Sequence, residues 1–201
     1  MKRIGVLGGT FDPIHLGHLS LARDAVSQAK LDKVIFVPAG QQPFKLWNDI
    51  SSAGQRMDML KLAVLDEENM EVSSVETDSE EISYTYKTLR VLRNELDPGD
   101  KLYFITGTDT FLKLETWKEA GALLRENAFV VGVRPGFIKK EIIAFKKHIE
   151  TVFFTEAIII NNIRLDISST EIREKSKNGQ DISGMVKKEV EGYILKNDLY
   201  K

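Results

Sequence analysis

The chain has no cysteine, which excludes disulfides, thiolate metal sites and a cysteine nucleophile together. It also lacks an excess of positive charge: 28 basic side chains face 30 acidic ones, for a formal net charge of -2. No global basic field marks nucleic acid as the main partner, so any recognition of phosphate must be local. Long apolar runs are missing as well. The opening MKRIGVLGGTF carries an apolar run too short for a signal peptide or a membrane span, and it passes straight into a glycine loop. There is no internal repeat and no low-complexity segment. The expectation is a soluble cytoplasmic protein with neither membrane nor nucleic acid as partner. Apolar residues are plentiful, 42% of 201. That is enough for one sizeable core and a single domain over the whole chain.

Two periodicities alternate along the sequence. Short apolar runs at Arg3 to Leu7, Val34 to Pro38, Leu102 to Thr106, Phe129 to Val133 and Ile158 to Ile160 read as strands, with a weaker one at Val72 to Val75. Helical spacing links Leu19, Ala22, Ala25, Val26 and Ala29 within Leu16 to Lys30, and Met57, Leu60 and Val64 within Gln55 to Leu65. Further helices read over Tyr86 to Leu96, Lys118 to Arg125, Ile138 to Ile149 (a surface helix by its mixed charge), Glu171 to Lys177 and Val186 to Leu195. Alternating strands and helices predict an α/β protein whose parallel sheet is covered on both faces. Such sheets bind ligands beyond the carboxyl ends of their strands. The segments that follow strands are therefore where chemistry is to be sought. The longest polar stretch, Gln41 to Gly54, is a loop of the kind that is more often functional than idle.

The first such segment is Gly8, Gly9, Thr10, Phe11, Asp12, Pro13, Ile14, His15, Leu16, Gly17 and His18. Its glycines permit a tight turn and close backbone approach to a ligand. The helix behind it offers free N–H groups and the positive end of its dipole, which suit phosphate. His15 and His18 are three apart, so both face one side of the helix start. Two imidazoles there can hold phosphate oxygens and stabilise charge developing during transfer. Taken alone, the pair is equally a sharp turn with two half-exposed histidines. A metal site would need a third ligand that the spacing does not offer, so no protein metal ligand is expected. The string is neither a G-x-G-x-x-G fingerprint nor a Walker A loop.

A second segment, Asp166, Ile167, Ser168, Ser169, Thr170, Glu171, Ile172 and Arg173, also follows a strand. Ser168 with Glu171 reads as a capping box, which places Arg173 in the first helical turn. A cation there opposes the helix dipole unless an anion is present. Free N–H groups, two spare hydroxyls and a guanidinium make a phosphate clamp; a good N-cap with a solvated arginine accounts for the same residues. Three further stretches have ordinary readings too. Ser83-Tyr84-Thr85 is a helix start, Gly107-Thr108-Asp109 a turn, and Arg134-Pro135-Gly136 a strand terminator, while Trp117 is simplest as core. Functionally, Asp109 can accept from ribose hydroxyls, Trp117 can stack a heteroaromatic ring, Arg134 can meet a phosphate, and N–H groups near Tyr84 and Thr85 can hold a carboxylate.

The two signatures carry a resemblance. GGTFDPIHLGH is similar to the T/H-x-G-H signature of the nucleotidyltransferases, and ISSTEIR resembles their ISSTxIR motif. SYT, the Gly-x-Asp turn, Trp117, RPG and the carboxyl-terminal VEGYILKNDLY follow in the order seen in bacterial nicotinate-nucleotide adenylyltransferases, over nearly the whole chain. The resemblance implies a Rossmann-like, doubly wound parallel sheet of the HxGH type. It implies transfer of AMP from ATP to nicotinate mononucleotide, with release of pyrophosphate, in NAD biosynthesis. It assigns Gly8, Gly9, Thr10, Phe11, His15, His18, Gly107, Asp109, Ser168, Ser169, Thr170 and Arg173 to ATP, with His15, His18 and Arg173 catalytic. Lys45, Tyr84, Thr85, Trp117 and Arg134 go to the mononucleotide. One departure stands out: Phe44 replaces a histidine usual before Lys45.

The attacking phosphate is already largely a dianion near neutral pH. Catalysis is then positioning and charge stabilisation without a general base, and magnesium is expected to ride on the ATP phosphates. A phosphopantetheine adenylyltransferase, an enzyme accepting nicotinamide mononucleotide, and a non-catalytic nucleotide-binding regulator on the same fold are the alternatives. An oligomer of identical chains also stays open.

Overall fold

The structure is a computed structural model, and it describes residues 1–40, 50–133, 140–162 and 167–201. These form one six-stranded sheet, all parallel, in the order β3-β2-β1-β4-β5-β6. The strands are β1 (Arg3–Gly9), β2 (Lys33–Pro38), β3 (Met70–Val72), β4 (Lys101–Gly107), β5 (Ala128–Val133) and β6 (Ala157–Asn161). The chain leaves β1 toward β2 on one side and returns to pair β4 with it on the other. That reversal creates a crevice at the carboxyl ends of β1 and β4.

Eight α-helices are described: α1 (Leu16–Ala29), α2 (Ala53–Val64), α3 (Thr85–Asn94), α4 (Thr108–Phe111), α5 (Ala120–Glu126), α6 (Lys140–Val152), α7 (Ser169–Lys177) and α8 (Lys188–Lys196). Alternate strand residues feed two cores, because successive side chains leave a strand on opposite faces. Val34, Phe36, Tyr103, Ile105 and Val130 meet α1, α2, α7 and α8, whereas Ile35, Val37, Leu102, Phe104 and Phe129 meet α3, α5 and α6. In place of the surface helix expected over Ile138 to Ile149, α6 runs over Lys140–Val152 with Ile142 and Ile149 fully buried, so it packs on the sheet. The expected strand at Val72 to Val75 lies earlier, at Met70–Val72. Gly107-Thr108-Asp109, read as a turn, is the N-cap and start of a one-turn helix, Thr108–Phe111. Among the described residues, no helix is long and apolar enough to cross a membrane.

Candidate active site

The segment between β1 and α1 is shaped by close packing. Phe11 takes a left-handed backbone conformation, φ 51°, which costs a side-chain-bearing residue about 1–2 kcal/mol. Burial of its ring, 2% exposed, offsets that by about 1.5–3 kcal/mol. The ring lies under Gly9, where an added Cβ would stand 3.0 Å from it. Phe11 is therefore held from inside by the packing of its ring, and it lines the cleft described below. The same ring meets His18 edge-on at 4.9 Å.

His15 is the N-cap of α1, and its ring stacks on that of His18 at 3.6 Å. The His15 backbone N–H donates to Nδ1 of His18 (3.3 Å). An accepting Nδ1 carries no proton, so a neutral His18 ring has its proton on Nε2. The sequence predicts two half-exposed histidines; only His18 is half-exposed, while His15 is 8% exposed. Its position as N-cap beneath the stacked partner explains the difference.

The second signature folds against the first. Ser168 caps α7 by accepting from the Glu171 N–H (3.1 Å), and the Glu171 carboxylate turns instead to Lys175 at 3.4 Å. The helix begins at Ser169, so Arg173 lies in its second turn and not the first. Its guanidinium is not simply solvated: Nη1 donates to the Asp12 carbonyl (2.7 Å) and Nη2 to Thr170 Oγ1 (3.5 Å). Nor is the Ser169 hydroxyl spare, because it donates to the Pro13 carbonyl (3.0 Å). Two side chains of α7 thus hold the first loop by its backbone.

Beneath that loop is a polar cluster that sequence reasoning missed. Asp12 and Arg56 are each 1% exposed. Arg56 donates from Nη1 to the Thr10 carbonyl (3.0 Å) and from Nε to the Ser51 carbonyl (3.1 Å). Burial pushes the Arg56 guanidinium below its ordinary pKa, and the Asp12 charge opposes that shift. A trans peptide points its carbonyl and its N–H in opposite directions. Turning the Thr10 carbonyl to Arg56 therefore turns the Phe11 N–H away from Arg56. The sequence signal for Arg56 was available: it falls on the inward stripe of α2 with Met59, Leu60 and Ala63. Asp12 takes its partners from positions 51 and 200, which no local pattern shows.

Three recesses open along the carboxyl ends of the strands. The largest, about 630 Å³, is lined by His15, His18, Gly107, Asp109, Gly132, Asn162, Ser168 and Ser169. A middle cleft of about 230 Å³ is lined by Thr10, Phe11, Asp12, His18, Ser169, Thr170 and Arg173. A narrow one of about 140 Å³ is lined by Gly8, Gly9, Glu76, Ser83, Thr85, Thr88, Phe104 and Trp117. Trp117 sets its ring edge-on to Phe104 at 6.1 Å and is half-exposed, not pure core. Tyr84 is separated from this group: its ring lies under the Lys118 ammonium at 4.4 Å and lines a different, outer hollow. Only its backbone, the N-cap of α3, remains near the narrow recess. Glycine is required at Gly40, where a Cβ would stand 2.1 Å from the Glu76 carbonyl oxygen. Lys45 and Arg134 lie outside the described residues.

Comparison with known proteins adds to this geometry. The cytidylyltransferase-like family model matches residues 6–175. A curated protein of Clostridium botulinum (strain Alaska E43 / Type E3), named a probable nicotinate-nucleotide adenylyltransferase, is 41% identical over 201 residues, covering 100% of this chain and 99% of the relative. A protein of Desulfitobacterium hafniense (strain Y51) with the same name is 41% identical over 200 residues, covering 100% and 96%. Among solved structures, the Plasmodium falciparum nicotinic acid mononucleotide adenylyltransferase complexed with NaAD superposes with a TM-score of 0.80 at 24% identity, covering 100% of this chain and 98% of that one.

Proposed function

The chain belongs to the nicotinate-nucleotide adenylyltransferases of the cytidylyltransferase-like family, and we propose that it transfers AMP from ATP to nicotinate mononucleotide, giving nicotinic acid adenine dinucleotide and pyrophosphate. The observation that carries this reading is the single run of chain from the end of β1 to the first turn of α1. It contributes Gly8 and Gly9 to the narrow recess, Thr10 to the middle one, and His15 and His18 to the largest. Two substrates bound on either side of that run would meet over it.

In this reading the largest recess takes adenosine, with Asp109 accepting from the ribose hydroxyls and Gly107 giving close approach. The triphosphate runs past His18 into the middle cleft, where Ser169, Thr170 and Arg173 stand. The narrow recess takes the pyridine ring against Trp117, with its carboxylate at the N–H groups that open α3. The first N–H groups of a helix have no partner within it, and the dipole end favours an anion. We assign the phosphate of the mononucleotide to Lys45.

The phosphate oxygen attacks the α-phosphorus of ATP, the bond to the β-phosphate oxygen breaks, and pyrophosphate leaves with the electron pair. The attacking group is largely ionised near neutral pH, so no base needs to act on it. His18 donates from Nε2 to phosphate oxygens, and the Arg173 guanidinium offsets charge on the leaving group. Magnesium, if carried on the ATP phosphates, would add charge neutralisation there beside His18 and Arg173. The recesses are lined by imidazole, hydroxyl, amide and guanidinium groups with the carboxylates of Asp109 and Asp12, and that of Asp12 is already held by Tyr200 and Ser51, a set that fits phosphate-borne ions better than a protein cage. Chelation should therefore stop turnover while leaving the Tm of the ligand-free protein unchanged.

Pyrophosphate release with ATP and a panel of acceptors tests the reaction. Nicotinate mononucleotide is expected to support the fastest release. Release with phosphopantetheine instead, or none with any acceptor, would overturn the assignment.

A further inference from the structure

Asp12 poses a physical problem. It is a carboxylate, 1% exposed, within the very loop that is to bind polyphosphate. A buried charge is costly unless it is hydrogen-bonded and paired. Asp12 has both kinds of support. Oδ1 accepts from the Tyr200 hydroxyl at 2.6 Å, its carboxylate accepts from the Ser51 N–H at 3.3–3.4 Å, and Arg56 supplies opposite charge. With its charge matched in this way, Asp12 contributes geometry. Its carbonyl, on the same residue, receives Nη1 of Arg173 at 2.7 Å.

We propose that Tyr200, next to last in the chain, is a positioning residue for the ATP phosphates. Its hydroxyl fixes the Asp12 carboxylate, and the fixed Asp12 carbonyl sets the guanidinium of Arg173 on the middle cleft. The inference rests on reading that cleft as the triphosphate site. Four segments converge on Asp12: the first loop, the start of α2, α7 and the chain end. A shift of the Asp12 backbone would therefore reach Arg173 first, since that bond is the direct link to the cleft. The phenol is suited to the task because it stays a donor. Burial holds its pKa far above the ordinary range, with the Asp12 charge adding to the rise and Arg173 opposing it.

The test is a double-mutant cycle read by calorimetric binding of a non-hydrolysable ATP analogue with magnesium. Tyr200→Phe should weaken that binding about 5- to 10-fold, and mononucleotide binding should stay within about twofold. In an Arg173→Ala background the same change should add less than about twofold, because coupled residues are non-additive. Equal losses in both backgrounds, or a lowered Tm with unchanged analogue binding, would overturn the proposal. If the wild-type protein binds no analogue, the ATP reading fails and this inference with it. Wild-type binding matched by Tyr200→Phe removes this inference alone. Should Tyr200→Phe not fold, Asp12→Asn weakens the same bond from the acceptor side; it also removes the charge beside Arg56 and so lowers Tm, but its loss of analogue binding should again shrink to less than about twofold in the Arg173→Ala background.

Discussion

The two ends of the sheet handle charge in opposite ways. At the amino ends of the strands, charges pair in water: Arg3 with Glu156 at 3.8 Å, Lys101 with the same carboxylate, and Arg90 with Glu126 at 2.6 Å, all with side chains about a third exposed or more. At the carboxyl ends, Asp12, His15 and Arg56 are buried and committed to specific partners. Exposed pairs contribute about 0–1 kcal/mol and are screened by salt. Losing one partner of a buried charge costs about 3–5 kcal/mol. The lesson is that the expensive polar groups stand in and beneath the loop that lines the recesses, where their geometry matters, while the inexpensive ones decorate the other end.

The largest effect should come from the histidines. His18→Ala is expected to lower kcat by about 100-fold or more, the scale for losing one charge-stabilising donor, with little loss of Tm because His18 is half-exposed. His15→Ala should lower kcat similarly and also lower Tm, because His15 is a buried N-cap. Equal Tm for the two variants would break the contrast between the residues. Near wild-type turnover in both would remove their proposed role.

Arg173→Ala comes next. The sequence alone predicts that α7 tolerates alanine, since a cation near a helix start is unfavourable. The bond to the Asp12 carbonyl changes that expectation. A hydrogen bond with a charged partner contributes about 1.5–3 kcal/mol, so the ligand-free protein should lose Tm as well as affinity for ATP. Unchanged Tm with impaired ATP kinetics would mean that the guanidinium serves the ligand alone.

How much was legible in the sequence follows the same division. Both signatures were readable because each is a local string after a strand, and β1, β4 and β5 announce themselves as apolar runs. Helix α4 was taken for a turn because Gly107-Thr108-Asp109 has too few residues to show a period. The tethering of Arg173, the burial of His15 and the Asp12–Arg56–Tyr200 cluster depend on partners brought together only by the fold. Tyr200 and Asp12 are 188 positions apart. The SYT string marked a helix start at Tyr84 and Thr85, and Tyr84 is the N-cap of α3; that its side chain leaves toward Lys118 depends on a residue well outside that string.

The narrow recess should show a smaller effect, of specificity. An acid ring substituent meets N–H donors there, while an amide would set an NH2 against one of them. Leaving such groups unpaired costs about 1–3 kcal/mol each, so kcat/KM should favour nicotinate over nicotinamide mononucleotide by about 100-fold. Trp117→Ala should reduce kcat/KM for both and keep the preference. Glu76, whose oxygens accept from Thr88 Oγ1 (2.6 Å) and the Gly40 N–H (3.3 Å), is an acidic group lining this recess and works against the acid. Glu76→Gln should widen the preference; a narrowed one would show that Glu76 holds the donors in place.

The smallest effect is expected at the other end of the sheet. Glu156→Gln removes the exposed pairs with Arg3 and Lys101. It should leave kcat and both KM values unchanged and shift stability by less than about 1 kcal/mol. A kinetic effect there would break the division between the two ends.

The central claim is the identity of the transferred group, and ATP labelled at the α-phosphate reads it directly. With nicotinate mononucleotide present, the label should appear in a dinucleotide, with one pyrophosphate released for each molecule formed. Label released as free AMP, or left in ATP while pyrophosphate is absent, would contradict the account.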